Sequence, residues 1–517
     1  MLVVTRHRKL ILETPRAAEV QAAIPHAVLF ASGGKQLIAV PHAEDEIRVL
    51  KNLGFANPPP PIDSYYDWPG RFPPMSHQKD TSAFLVAHMR ALCLNAPGTG
   101  KTISTLWAAD YLLEQGVVNR VLVIAPLSTL VPVWGKELTH HLPHRKFEII
   151  TGARKSREKK VARVDVGGFA IINHDGFSTE PKLFADFDLI VYDEVTALKT
   201  PGSQRYKKFA LFMKEFTPRL WMLTGTPISQ NPTDAWTLSR LVDSPRTPRG
   251  FNAFRDMVMK RVTTFKWVPR PEALDICKTV LQPSIRFALD ECKDLPQTVY
   301  ITRDCELTPQ QAAAYKTLQA EALLSLGGST ISAANAAVLF SKLLQLCCGV
   351  VYDEDGEAVV LDSKSRTDTL DEILDEIGDK CIIFAPLRSV QNFLEEHLKA
   401  RGHSVGVVHG SVTKGARDEI FHKFQTSDEP KILLAHPKVA AHGLTLTRAS
   451  SIIWYAPIHS LEMYEQANAR IRRITTEGKT TVFHIAATGF ERELYRRLAA
   501  KQQTLADFLT LVRGYNE

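Results

Sequence analysis

The segment Leu94–Thr102, LNAPGTGKT, sets two glycines ahead of a lysine and a threonine. Backbone N–H groups of such a turn can converge on phosphate oxygens, and the N-terminus of a following helix adds a favourable field. In this reading Pro97, Gly98, Thr99 and Gly100 form a cradle, Lys101 reaches the β- and γ-phosphates, and Thr102 holds magnesium. ATP and Mg are therefore the expected ligands. A second pair, Asp193-Glu194, closes the apolar run Leu189–Tyr192. Asp193 would orient the magnesium through water, and Glu194 would polarise the attacking water as general base. A third group, Gln466, Arg470 and Arg473, recurs at i, i+4 and i+7, which is one face of a helix.

These groups work only if regular elements hold them. Arg90–Asn95, RALCLN, is short and apolar, as a buried strand should be. After the glycines, Ile103, Leu106, Trp107 and Tyr111 recur at helical spacing. The loop thus lies between a strand and a helix, the setting that makes a phosphate-binding motif credible. Asp193-Glu194 sits at the carboxyl end of its strand, where ligand sites of parallel sheets form. One departure stands in the loop: Asn95 occupies the first position, where Gly or Ala is usual.

Strand-like and helical patterns alternate through residues 90–245 and again through 380–490, which predicts an α/β chain with two parallel-sheet lobes. The second lobe carries no phosphate loop of its own. The 517 residues suffice for roughly two to four domains. A hydrophobic content of 44% and a charged content of 23% are ordinary for a globular protein. No apolar run approaches the roughly 18 residues of a membrane helix, and the N-terminal apolar stretch is too short for a signal peptide. The seven cysteines form no CxxC pair, so reduced thiols in a cytoplasmic compartment are expected and zinc is not. A net charge of +7 is compatible with nucleic-acid binding without requiring it.

Further segments fall in a telling order. VLVIAPLSTLVPVWGKEL follows the loop; then come AIINHD, DEVTALKTPGSQRYK and LWMLTGTPISQNPTDAW. The second half holds CIIFAPL, GVVHGSVTKGARDEIFHKFQ, VAAHGLTLTRASSIIWY and YEQANARIRRI. Over about residues 71–505 the chain resembles the superfamily two helicases, and within them the Swi/Snf-type double-stranded DNA translocases. The most specific marks are the PLSTL…W…E box, the LTGTPI…N box and the Gln-Ala-x-x-Arg-x-x-Arg box.

The resemblance implies two RecA-like lobes and an ATP-driven motor on duplex DNA. It makes Arg473, with Arg470 beside it, arginine fingers for the γ-phosphate, and places Gln466 in the same box. It makes Gln78 an adenine reader, since an amide can pair an adenine edge through one donor and one acceptor. Pro126, Ser128 and Thr129, Thr224 and Thr226, and Gly410 and Ser411 become DNA-facing or coupling residues, gripping phosphates without reading bases. His442–Thr447, with Gly443 on the nucleotide side and Thr445, resembles the box that touches both DNA and the cleft. Three positions depart from the pattern: Thr196 replaces the usual histidine of the acidic box, Thr445 replaces an asparagine, and Thr476 replaces a glutamine. They mark a divergent, compact member of phage or bacterial type.

The chain is accordingly read as a small α+β accessory domain at 1–70, an ATP-binding lobe at 71–245, a helical insertion and linker at 246–365, a second lobe at 366–490, and a C-terminal helix at 491–517 packing on the motor. Within the first part, AVLFASGGKQLIAVP reads as a hairpin, AEDEIRVLKNLGF as a helix ending near Gly54, and NPPPPIDSYYDWPG as a stiff linker. The basic run Ala153–Val164 reads as a solvated face. Alternative readings stay open at this point: a strand-separating helicase on DNA or RNA, a nucleotide-gated scaffold, and the motor subunit of a restriction or defence system with a nuclease or other protein partner.

Overall fold

The computed structural model describes the chain apart from residues 1, 5–6, 57, 229–230, 264–266, 289–290, 293–297, 327–332, 353–357, 441–445, 447, 472–479 and 501–517. It divides into two compact units, Met1–Cys292 and Lys293–Glu517.

The first unit opens with an antiparallel sheet of β1 (Leu2–Val4), β2 (Lys9–Glu13), β3 (Val28–Ser32) and β4 (Lys35–Pro41), in the order β1-β2-β4-β3. The expected hairpin is β3–β4. Gly33 and Gly34 both take positive φ, as a tight two-residue hairpin turn requires. Leu10, Leu12, Ile38 and Val40 from one face of the sheet pack with Val20, Ile47 and Leu50 of the helices Ala17–Ala23 and Glu44–Asn52. The proline-rich stretch that follows is not a free spacer. It contains the short helix Pro61–Tyr65, buries Ile62, and hands the Tyr66 hydroxyl to Asp110 Oδ2 at 2.6 Å.

The motor sheet of this unit contains β5 (Arg90–Cys93), β6 (Arg120–Ala125), β7 (Phe147–Ile149), β8 (Gly168–Asn173), β9 (Leu189–Asp193) and β10 (Arg219–Leu223). A small ribbon of β11 (Met259–Arg261) and β12 (Trp267–Pro269) follows, and β13 (Ser284–Ile285) returns to the sheet. The order is β13-β5-β10-β9-β6-β8-β7, parallel throughout. Side chains alternate between two cores. Leu92, Leu122, Ile124, Ile190 and Met222 face one layer, and Ala91, Cys93, Val121, Val123, Val191 and Trp221 face the other. A sheet covered on both sides explains why these strands read as continuous apolar runs. The helices Phe251–Val258 and Ala273–Val280 put Phe254, Val258, Cys277 and Val280 into the first of these layers.

The second unit holds β14 (Thr298–Asp304), the ribbon β15 (Val350–Tyr352) and β16 (Ala358–Val360), then β17 (Cys381–Phe384), β18 (Val405–Val408), β19 (Ile432–Ala435), β20 (Ser451–Trp454) and β21 (Thr480–Ala486). Its main sheet is also parallel, in the order β14-β21-β20-β17-β19-β18. The expectation of two parallel-sheet lobes with a small N-terminal α+β domain thus holds. The helices Pro309–Leu326 and Ala333–Cys347 belong to this unit, where Leu339, Phe340, Leu343 and Leu344 pack on Phe490 and Leu494. The last described helix is Gly489–Ala499; the rest of the expected C-terminal helix, 501–517, lies outside the described residues. All seven cysteines are buried free thiols. No helix among the described residues is long and apolar enough to cross a membrane.

A buried ion pair ties the second unit together. Arg366, 2% exposed, donates to Glu491 Oε1 at 2.8 Å and to the carbonyls of Tyr455, Ile485 (3.0 Å) and Cys347 (3.3 Å). Glu491, fully buried, also accepts from the Ala487 N–H at 2.8 Å. One guanidinium therefore joins the ends of β20, β21 and two helices. Removing one member leaves the other charge buried without its partner, so Glu491→Ala should cost about 3–5 kcal/mol in urea unfolding of the second unit's transition. A loss near the roughly 0–1 kcal/mol of a surface pair would contradict this reading.

Candidate active site

The phosphate loop leaves β5 and runs into the helix Lys101–Glu114. Gly98 and Gly100 take φ of +87° and +83°, a region only glycine enters freely. Gly100 is also packed from behind: a Cβ there would lie 2.3 Å from Gln78 Nε2. Lys101 Nζ donates to the carbonyls of Asn95 (2.9 Å) and Ala96 (3.3 Å), which curls it over the loop. Thr102 lies in the first turn of the helix, half-buried.

Asn95 accounts for its own departure from the usual glycine. It is 1% exposed. Its amide donates to Thr81 Oγ1 at 2.9 Å and its carbonyl accepts the Phe287 N–H at 3.0 Å. A residue without a side chain could not join the loop to the helix Ser76–Ala87 and to the segment after β13. Two further side chains hold the loop from the same helix. His77 Nε2 lies 2.9 Å from the Thr99 carbonyl, and Gln78 Nε2 lies 3.4 Å from it. The Gln78 side-chain oxygen accepts the Met75 N–H at 3.0 Å, so this buried amide joins the loop at Thr99 to the start of its own helix.

The acidic pair ends β9, two strands from β5 in the sheet. Asp193 Oδ2 accepts the Trp134 indole N–H at 2.9 Å, and Oδ1 accepts the Glu194 N–H at 3.0 Å. Glu194 is a non-glycine at φ +51°, a left-handed conformation uncommon outside glycine. Thr196 follows in a 3₁₀ turn over Val195–Leu198. Behind the pair, His174 stacks on Tyr192 with ring centroids 4.9 Å apart and places Nε2 2.9 Å from the Asp193 carbonyl. Burial pushes its pKa down to about 4, so the ring is neutral at pH 7 and donates from Nε2 to that carbonyl.

Between β5 and β9 lies β10, and its end carries Thr224 and Thr226. Thr224 is 1% exposed; its N–H reaches the Cys93 carbonyl at 3.1 Å and its hydroxyl accepts the Thr226 N–H at 3.2 Å. A Cβ at Gly225 would meet Pro97 Cδ at 2.8 Å, so this turn touches the phosphate loop. Beyond β9, the end of β6 gives the Pro126–Thr129 turn, closed by the Thr129 N–H and hydroxyl on the Pro126 carbonyl, each at 2.9 Å. Ser128 is half-buried within it.

The second unit holds the remaining candidates. Gly410 and Ser411 are exposed after β18, with Ser411 Oγ accepting from Arg388 at 2.6 Å and lying 2.9 Å from His409 Nδ1. Gln466 is buried in the helix Leu461–Asn468, 3.4 Å from Glu462. Here one expectation is corrected. Gln466 and Arg470 do not share a helical face, because the helix ends at Asn468. Its last turn tightens, with the Arg470 N–H on the Ala467 carbonyl at 3.2 Å, while Asn468 accepts the Trp454 indole at 2.9 Å. Arg473, Gly443 and Thr445 lie outside the described residues.

A parallel-sheet lobe with a phosphate loop after one strand and an acidic pair at the end of the next strand but one defines a nucleotide-hydrolysing lobe. The SNF2-related domain model matches residues 77–349, and the helicase conserved C-terminal domain model matches residues 365–475. The chain belongs to the SNF2-related family and is a helicase-like ATPase. It is 27% identical over 395 residues to Putative protein p41 of Acyrthosiphon pisum secondary endosymbiont phage 1, covering 72% of this chain and 83% of that protein. It is 24% identical over 445 residues to nuclear protein STH1/NPS1 of Saccharomyces cerevisiae, covering 79% of this chain but 32% of the yeast protein. Among solved structures, the Sulfolobus solfataricus SWI2/SNF2 ATPase core in complex with dsDNA is 19% identical and covers 87% of this chain and 94% of that chain, with a TM-score of 0.40.

The sequence reading gave no role to His77, Trp134 or His174. The PLSTL…W…E and AIINHD boxes contain the last two, and a buried tryptophan that needs an acceptor is a usable signal. His174 yields a pH prediction. Its folded pKa lies below the ordinary 6.5, so the unfolded chain binds the extra proton. The stability it contributes is complete above about pH 6.5 and falls as pH drops toward about 4, by up to about 3 kcal/mol. Urea denaturation of wild type and His174→Asn from pH 7 to pH 4.5 should show the stability gap closing as pH falls. A gap independent of pH would contradict a neutral, buried His174.

Proposed function

We propose that this protein is an ATP-dependent translocase on double-stranded DNA, moving along the duplex without separating its strands. The observation that carries the reading is the contact of the Thr224–Thr226 turn with the phosphate loop at Pro97, beside an acidic pair that is itself bonded to the Pro126–Thr129 segment through Trp134. Turns of small and hydroxylated residues suit phosphates rather than bases. A motor that grips phosphates leaves the base pairs intact.

In this reading the N–H groups of Gly98, Thr99, Gly100 and Lys101 surround the β-phosphate of ATP. The Lys101 ammonium exchanges the Asn95 and Ala96 carbonyls for phosphate oxygens, a stronger charge-assisted bond. The Thr102 hydroxyl and the Asp193 carboxylate are hard oxygen donors of the kind magnesium takes. Thr102 and Asp193 would hold a magnesium ion there, which would supply positive charge against the phosphate oxygens. Glu194 takes the proton of the attacking water. Arg470 and Arg473 are assigned as arginine fingers that stabilise charge on the transferring phosphoryl group, a contribution of roughly 10³–10⁵ in rate. Gln78 meets the adenine by turning its amide from the Thr99 carbonyl, the longest of its hydrogen bonds. DNA is gripped by the Pro126–Thr129 and Thr224–Thr226 turns, by Gly410-Ser411 and by Thr445.

The decisive assay compares two substrates. With ATP, the protein should displace a triplex-forming third strand from duplex DNA and leave a forked duplex annealed. Glu194→Gln should bind ATP and displace nothing, because the amide keeps the shape but cannot accept the proton. Binding should be independent of sequence and weaken steeply with salt. Fork unwinding without triplex displacement would replace this reading with that of a strand-separating helicase.

A further inference from the structure

The Trp134 side chain is fully buried, and its indole N–H points at Asp193 Oδ2 at 2.9 Å. The other carboxylate oxygen takes the Glu194 N–H at 3.0 Å. The indole on one oxygen and the Glu194 N–H on the other together fix the plane of the carboxylate.

Trp134 reaches this position through an uncommon element. Leu130–Gly135 is a π-helical turn, a form that concentrates at functional sites. Pro132 stands inside it and has no N–H to support a regular α turn. The N–H groups of Val133 and Trp134 both converge on the Thr129 carbonyl, each at 3.1 Å. Thr129 in turn closes its N–H and hydroxyl on the Pro126 carbonyl. The outer side of that turn meets solvent, where Leu127 is 57% exposed. A continuous series of hydrogen bonds therefore leads from an exposed turn at the end of β6 to the carboxylate at the end of β9.

We propose that Trp134 is a positioning residue that ties the Pro126–Thr129 turn to the Asp193 carboxylate, so that a DNA phosphate seated on the turn sets the carboxylate for hydrolysis. The proposal rests on the ATPase and DNA reading above. It supplies a connection between the two sites inside the first lobe. A displaced turn moves the Thr129 carbonyl, the carbonyl moves the Val133–Trp134 backbone, and the indole carries the shift to Oδ2.

The test uses the full chain and Trp134→Phe, which keeps an aromatic ring and deletes the donor. Mn²⁺ is titrated in the presence of ADP and followed by electron paramagnetic resonance. Loss of a partner behind a metal ligand weakens metal binding by about tenfold or more. The same variant should lose about tenfold in duplex-stimulated kcat while KM for ATP stays within about twofold. In parallel, ¹⁵N-indole-labelled wild-type protein is titrated with duplex DNA. The Trp134 resonance, assigned through its shift in Asp193→Asn, should exchange slowly with solvent and move as the duplex binds. This second measurement stands even if Trp134→Phe fails to fold. Mn²⁺ affinity within twofold of wild type, or an indole resonance that stays fixed while the duplex binds, overturns the proposal alone. Wild-type protein that binds neither Mn²⁺–ADP nor duplex overturns the reading beneath it as well.

Discussion

A phosphate loop can aim its N–H groups inward only if its carbonyls have somewhere else to go. Each peptide plane carries the two groups on opposite sides, so an inward Gly100 N–H puts the Thr99 carbonyl outward, into a packed lobe. A buried carbonyl there needs a donor. His77 and Gln78 supply it, and both come from the helix Ser76–Ala87. Asn95 fastens the base of the loop to Thr81 of the same helix and to the backbone of Phe287. The rest of the first lobe serves that constraint. Ser82 joins the same helix to the Ser104 carbonyl of the phosphate-loop helix at 2.9 Å, and the buried Asp110 of that helix is satisfied by Tyr66 and Arg145.

The two lobes divide the chemistry unequally. The first holds the phosphate loop with Lys101 and the Asp193-Glu194 pair in one sheet, at the ends of β5 and β9, with the Thr224–Thr226 and Pro126–Thr129 turns at the ends of β10 and β6. The second has the same parallel-sheet plan without a loop, and builds its stability around Arg366 and Glu491 instead. Each lobe closes its own cores, so each can keep its internal geometry independently of the other.

What was legible in the sequence follows from how local each feature is. The phosphate loop, its flanking strand and helix, the acidic pair and the Gly33-Gly34 hairpin are contiguous patterns, and each forms where its residues predict. The role of Asn95 was not legible, because Phe287 lies 192 positions away. Trp134 and Asp193 are 59 positions apart, so nothing near the acidic pair announces its indole partner. The placement of Phe254 and Cys277 in the first core depends on β13 returning to pair with β5, a two-residue strand too short to read. Arg470 misled for a different reason. The helical period continues in the sequence past Asn468, but the Trp454 indole holds that asparagine and the buried Ile471 turns the chain inward.

The central claim is that ATP turnover in the first lobe answers to duplex DNA gripped by its backbone. The most direct measurement is steady-state ATPase with no nucleic acid, single-stranded DNA, duplex DNA and RNA, side by side at one salt concentration. Duplex DNA should raise turnover most, and scrambling its sequence should change nothing. Equal or greater stimulation by single-stranded DNA or RNA, or turnover indifferent to every nucleic acid, would contradict the account.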